Sequence, residues 1–155
     1  MAIVGIFHPV VSVAHMDSSL GFYAETLGLT VTFDDYHDPE AIAALFAIES
    51  PRVRSVVVRC QDGSEIELVE YEQPRGRPRS EREPNDAGIL AVNLRVTDID
   101  GLVGRIQSAG YLVPSGIVDQ ELPDGGVIRV AVTTGPDGET IILVELPEGR
   151  SSLGG

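Results

Sequence analysis

Apolar and polar positions along this chain follow a strand rhythm and a helix rhythm, and the pair of rhythms occurs twice. The first copy opens with His8-Pro9-Val10-Val11-Ser12-Val13, a run rich in β-branched residues that reads as a strand. Leu20, Tyr23, Ala24 and Leu27 then recur at helical spacing behind Asp17, a side chain suited to an N-cap, and Gly28 follows as a helix terminator. The plan returns at Ala91. Ala91-Val92-Asn93-Leu94-Arg95-Val96 is the second opening strand, with Asp98 or Asp100 as the cap. Leu102, Ile106 and Ala109 form its apolar helical stripe, which ends at Gly110.

The close of each copy agrees residue for residue. Asp62-Gly63-Ser64-Glu65-Ile66-Glu67-Leu68-Val69-Glu70-Tyr71 aligns without a gap on Asp137-Gly138-Glu139-Thr140-Ile141-Ile142-Leu143-Val144-Glu145-Leu146. Each Asp-Gly predicts a tight hairpin turn leading into a strand. Two further strands fill each copy, at 29–36 and 52–60 in the first and at 111–118 and 127–134 in the second. The first copy carries an extra helical piece at 39–47. Each copy thus reads strand, helix, strand, strand, strand. The fold class is α+β, an internal duplication of one βαβββ unit. The units span 3–71 and 88–146 of a single domain. A polar linker at 72–87, rich in proline and arginine, joins them, and a flexible tail follows at 147–155.

Composition narrows the chemistry. The chain has 155 residues, enough for one real core, and no tryptophan, so that core is aliphatic. A net charge of −13 sets it against phosphate backbones, and no nucleic-acid partner is expected. No apolar run approaches a membrane span, and no basic-then-apolar leader opens the chain, so a cytoplasmic protein without membrane contact is expected. Cys60 stands alone, which excludes an internal disulfide and any multi-cysteine metal site; a buried structural thiol is its expected role.

The duplicated plan, with Phe22-Tyr23 in the first helix, Leu27-Gly28 at its end, and the Asp62-Gly63 and Pro136-Asp137-Gly138 turns, resembles the vicinal oxygen chelate superfamily of glyoxalases, bleomycin-resistance proteins and extradiol dioxygenases. The resemblance covers about residues 3 to 146. It implies that the two units pair into a curled, partly open mixed β-sheet cleft with helices outside. It implies a small-molecule ligand and a homodimer. It also places metal ligands on the first and last strand of each unit. In the first unit those positions are His8 and Glu67; in the second they are Ala91 and Ile142, which have no donor atoms. A catalytic zinc site keeps three protein ligands. The resemblance therefore implies a partial metal site at His8 and Glu67, holding either no cofactor or a weakly held divalent ion such as Zn²⁺, Ni²⁺, Mn²⁺ or Fe²⁺.

Strand alternation names the companions of these residues. Ser12 shares the face of His8, Tyr71 that of Glu67, Asn93 and Arg95 that of Ala91, and Thr140 that of Ile142. Arg54 and Arg129 lie on strands whose facing the pattern leaves open. All seven are candidate substrate contacts. A His and a Glu within hydrogen-bonding reach make an acid/base pair, so His8 and Glu67 are the catalytic candidates. The function expected first is a glyoxalase-like lyase or isomerase/epimerase acting on a small oxygenated carbonyl compound. The alternatives are an antibiotic-sequestering protein of the bleomycin-resistance type and, third, an extradiol-type dioxygenase. His15 and His37 are expected to be solvated loop residues.

Overall fold

The computed structural model describes residues 2–78, 81–89 and 91–153. The chain divides into two compact units, Met1–Arg79 and Ser80–Gly155. In the first, the order is β1 (Val10–Val13), α1 (Met16–Leu20) running on into a π-helical segment (Gly21–Thr26), β2 (Thr30–Tyr36), α2 (Pro39–Phe46), β3 (Arg52–Arg59) and β4 (Glu65–Gln73). The second holds β5 (Ala91–Val96), α3 (Ile99–Ser108), β6 (Val118–Glu121), β7 (Val127–Thr134) and β8 (Thr140–Glu145). Each unit is a four-stranded mixed sheet, ordered β1-β4-β3-β2 and β5-β8-β7-β6. In each, the opening strand runs parallel to the closing strand and the other pairings are antiparallel. The two sheets are copies of one βαβββ plan. Among the described residues no helix is long and apolar enough to cross a membrane.

One face of each sheet closes on its helix. Met16, Phe22 and Tyr23 lie buried with Val56, Val58, Ile66 and Leu68 in the first unit, and Ile99 and Ile106 with Ile141 and Leu143 in the second. Each such side chain stabilises the fold by about 2 kcal/mol relative to exposure. A polar clip, also duplicated, ties helix to sheet. The Met16 N–H donates to the Glu70 carboxylate at 2.8 Å, and the Ile99 N–H donates to the matching Glu145 at 3.0 Å. A carboxylate there satisfies an orphan amide and the positive end of the helix together.

The arginines complete the clip. Arg54 pairs across the sheet with Glu70, on the helix-bearing face, and its guanidinium forks onto Asp34 at 2.7 and 2.9 Å, with Asp17 at 3.6 Å. Arg129 pairs with Glu145 and reaches Asp100 at 2.6 and 2.9 Å, Glu145 at 3.1 Å and Asp119 at 3.8 Å. These hydrogen bonds hold the Asp34 and Asp100 carboxyls below the usual carboxylate range. Both arginines are engaged in ion pairs.

Other expectations shift by a few residues, each for a local reason. The ladder begins at Val10 because Pro9 has no N–H to give it. Residues 111–117 form no strand: Pro114 lacks a donor and Gly116 turns at φ +62°, so pairing starts only at Val118. Asp17 is not the cap of α1, since His15 holds the cap position without a side-chain bond and Glu70 takes the amide. Asp98 does cap α3, accepting from the Gly101 N–H at 3.0 Å. Cys60 is only partly buried, because it stands past the end of β3 in the hairpin it closes with Ser64. The segment from Pro147 is tied back by Arg150, whose guanidinium donates to Asp124 at 2.8 Å. The triplet Arg75, Arg77 and Arg79 of the linker is accounted for only in part: Arg75 donates to the Ala14 carbonyl and to Glu70, and Arg79 lies outside the described residues.

The largest departure concerns α2. Its Ile42 packs with Val53, Val69 and Tyr71 on the sheet face opposite α1. This helix is not outside: it lies on the open face of the first sheet.

Candidate functional site

That open face holds Glu67. The residue sits in β4, an interior strand, with Val10 of β1 on one side and Val57 of β3 on the other. Ile66 and Leu68 turn into the helix-side core, so alternation sends Glu67 to the other face, where it is nonetheless only 8% exposed. Three donors converge on its carboxylate. Ser55, one pair along β3 and itself buried, gives its hydroxyl to Oε1 at 2.6 Å. His8 reaches Oε2 through Nε2 at 3.1 Å, and His37 reaches Oε1 through Nε2 at 2.7 Å.

Each histidine is positioned by its own backbone. The Glu67 N–H bonds to the Pro9 carbonyl at 3.0 Å, which holds the segment before β1 against β4. The Phe7 ring stacks on His8, with centroids 4.2 Å apart. The His37 N–H donates to the Val53 carbonyl at 2.9 Å, one residue past the end of β2. Asp38 then caps α2 by accepting from the Glu40 N–H, and Pro39 opens the helix with a φ already helical. His37 is thus held between the sheet and a helix start. The expectation of a solvated His37 is corrected: its side chain is 37% exposed and bonded to Glu67. His15 is exposed.

Electrostatics set the protonation pattern. Burial pushes the Glu67 carboxyl up, but hydrogen bonds from Ser55, His37 and His8 outweigh it and leave the group below its ordinary value. An ionised carboxylate only accepts hydrogen bonds, so both imidazoles present Nε2–H to it. His8 Nδ1 is buried and has no partner.

The residues present do not form a metal shell. Both Glu67 oxygens are taken by ring N–H groups and a hydroxyl, and Ala91 and Ile142 offer no donor in the second unit. Among the described residues no three His, Cys, Asp or Glu side chains are grouped to hold a metal ion.

The other candidates are scattered. Ser12 is exposed on β1 opposite Val69, and Tyr71 packs against the Ile42 group; both share the face of Glu67. In the second unit Asn93 and Arg95 are exposed opposite Ile142 and Val144, and half-buried Thr140 lies opposite Ala91. Arg95 also lines a depression of about 490 Å³ with Thr97, Arg129, Glu145 and Arg150. The structure thus joins His8 with Glu67, adds Ser55 and His37, and holds Arg54 and Arg129 in ion pairs on the helix-bearing face. Ser55 was within reach of alternation, since it lies two positions from Val57, the partner of Glu67. His37 was not, because its placement depends on where β2 ends against β3.

Solved structures share this architecture. A glyoxalase family protein from Bacillus cereus superposes with a TM-score of 0.77 at 24% identity, covering 94% of this chain and 98% of that one. A glyoxalase family protein from Enterococcus faecalis gives 0.63 at 19% identity, covering 94% and 100%. The trypanothione-dependent glyoxalase I of Leishmania major gives 0.59 at 20%, covering 90% and 84%. At these identities the likeness is one of fold. No curated protein matches the chain. The sequence profile of the Glyoxalase/Bleomycin resistance protein/Dioxygenase superfamily matches residues 5–143, and with the duplicated βαβββ sheets this establishes that the chain belongs to that superfamily.

Proposed function

We propose that the open face of the first unit is the acid/base site of a glyoxalase-like lyase or isomerase/epimerase acting on a small oxygenated carbonyl compound. The observation that carries this reading is the low-pKa Glu67 carboxylate accepting from two imidazoles while His8 Nδ1 stays buried and unpartnered. The carboxylate orients the His8 ring and stabilises it once protonated, as a base needs. In this reading the His8 imidazole is the base for the proton on the carbon beside the substrate carbonyl. Ser55 holds Oε1 in place, and the Phe7 ring stacks on that of His8. Ser12 and Tyr71 flank the site as substrate contacts, and Asn93, Arg95 and Thr140 are the polar contacts the second unit offers a ligand.

The test is deuterium incorporation next to the carbonyl in a panel of α-hydroxy ketones and 2-oxo acids, followed by proton NMR in D₂O. Wild type exchanges that position in at least one compound, and His8→Ala and Glu67→Ala lose the exchange. Intact turnover in both variants would end this reading. Antibiotic sequestration is the second reading, favoured by the apolar group of Ile42, Val53, Val69 and Tyr71 beside Glu67 and by the net charge of −13. Bleomycin, a cationic drug, bound in calorimetry without turnover of the panel would move the assignment there. The proposed homodimer is checked by sedimentation.

A further inference from the structure

Glu67 is the centre of the open face, yet it is almost fully buried and carries a histidine on each carboxylate oxygen. A ligand comes into contact with that group only when a neighbour moves aside. Of the two rings, His8 is the more enclosed and is stacked on Phe7, whereas His37 is the more exposed and leads through Asp38 straight into α2. We propose that α2 is a hinged lid over the open face of the first unit, latched by His37, and that its apolar stripe of Ile42, Leu45 and Phe46 selects ligands carrying an apolar side group. This rests on the acid/base reading of the Glu67 site and deepens it, by naming what admits the ligand and which part of it is recognised.

The stripe is only half used. Ile42, Leu45 and Phe46 stand at i, i+3 and i+4, so one side of α2 carries all three. Ile42 is the one buried residue of the helix, packed with Val53, Val69 and Tyr71, while Leu45 and Phe46 are 73% and 60% exposed. The uncovered half continues the apolar group around Ile42, on the face that carries Glu67. An apolar ligand group seated there removes both side chains from water, which the unliganded fold does not do. A helix of eight residues draws its stability from packing more than from its own hydrogen bonds, so one buried side chain and one histidine hold α2 weakly.

The hinge lies just past the stripe. Ala47 at φ +54° and Ser50 at φ +48° are, among the described residues, the only non-glycines with left-handed backbone, and they bracket the link from α2 to β3. A side chain is strained in that region, and the strain is released when the segment lets go. Pro51 beyond it is buried and β3 begins at Arg52, so the far pivot is firm. The second unit shows the insertion to be tied to the site. There β6 leads through the 122–126 turn straight into β7, with no helix, and Val130 stands where the first unit has Ser55, Ile142 where it has Glu67. The unit that lacks the carboxylate also lacks the lid.

Amide hydrogen exchange by NMR reads the lid without any reaction. In unliganded wild type the amides of Ile42 to Phe46 are expected to exchange about 100-fold or more faster than those of Ile66 and Leu68 in β4. Equal protection in both places would mean that α2 opens only with the whole unit, and would overturn the lid. His37→Ala is expected to speed exchange in α2 about tenfold, and Ala47→Gly, which relieves the hinge, to slow it, neither moving β4. An unchanged α2 in His37→Ala would overturn the latch. Two α-hydroxy ketones test the stripe, dihydroxyacetone and 1-hydroxy-4-phenylbutan-2-one. At about ten times its dissociation constant the phenyl compound is expected to slow exchange in α2 about tenfold, dihydroxyacetone is not, and Leu45→Ala with Phe46→Ala removes the effect. No slowing by the phenyl compound, or equal slowing by both, would overturn the selectivity. Slowed exchange in α2 without deuterium entering beside the carbonyl sinks the acid/base reading and keeps the lid. Deuterium entering both compounds at equal kcat/KM with α2 unmoved does the reverse. A dimer in sedimentation that Leu45→Ala with Phe46→Ala converts to monomer would assign the stripe to contact between copies and overturn its role in ligand choice.

Discussion

The two units share one scaffold and differ in what their open faces carry. On the helix-bearing face the resemblance extends to individual atoms: a carboxylate from the closing strand takes the first helix amide, and a strand arginine ties the helix start and the edge strand together. On the open face the first unit buries a charged carboxylate among three donors, while the second sets Ile142 and Ala91 at the same positions. Duplication kept the side that the fold depends on and let the other side diverge. The difference teaches where to look for chemistry: at positions where one copy bears the cost of burying charge and the other does not.

The largest expected effect comes from breaking that difference. Glu67→Gln removes the charge that orients His8, and α-proton exchange is expected to fall on the order of 10²- to 10⁴-fold, read by NMR in D₂O. The reciprocal change, Ile142→Glu with Ala91→His, is expected to gain no exchange, because Val130 and the absent helix leave the new carboxylate without its other donors. Activity from the second unit in that variant would show that two ligands alone suffice.

The shared face gives smaller effects. Glu70→Gln and Glu145→Gln each weaken a helix cap, and each is expected to cost about 1 kcal/mol in urea unfolding. The loss should be greater at Glu145, which holds Arg129 at 3.1 Å, whereas Glu70 holds the more exposed Arg75 only at 3.4 Å. A pH series sharpens the contrast between faces. Glu67 has a folded pKa below its ordinary value, so its stabilising contribution is full above the ordinary carboxylate pKa and is lost as pH falls through the lowered folded one. Wild type should therefore lose more stability than Glu67→Gln between neutral and strongly acid pH, as followed by denaturant midpoints. The smallest effect is expected at Asp17, whose side chain is 97% exposed and 3.6 Å from Arg54. Asp17→Asn should change stability by less than about 0.5 kcal/mol, and Asp100→Asn, which breaks a two-bond fork, by more.

Much of this was legible before any coordinates. The ungapped match from Asp62 to Tyr71 against Asp137 to Leu146 carried the duplication, and with it the equivalence of Glu67 to Ile142. Alternation placed Glu67 opposite Ile66 and Leu68 because a strand has a strict period of two. The facing of Arg54 stayed open, since Val53, Val56, Val57 and Val58 make β3 apolar on both faces and erase the alternation. His37 was misjudged for another reason. Its acidic neighbours Asp34, Asp35 and Asp38 look like a solvated stretch, yet Asp34 is spent on Arg54 and Asp38 on capping α2.

By itself, then, the sequence determined the repeat and the class of fold, because these follow from period, spacing and internal alignment, all local or self-referential properties of the chain, while the pairing of His8 with Glu67 was implied by the family resemblance. Only the tertiary structure decided that α2 lies on the open face, that Arg54 and Arg129 are clips, and that His37 closes on Glu67. Those outcomes depend on which strand ends against which and on competition among charges for partners, and neither is encoded in the spacing of residues along one strand.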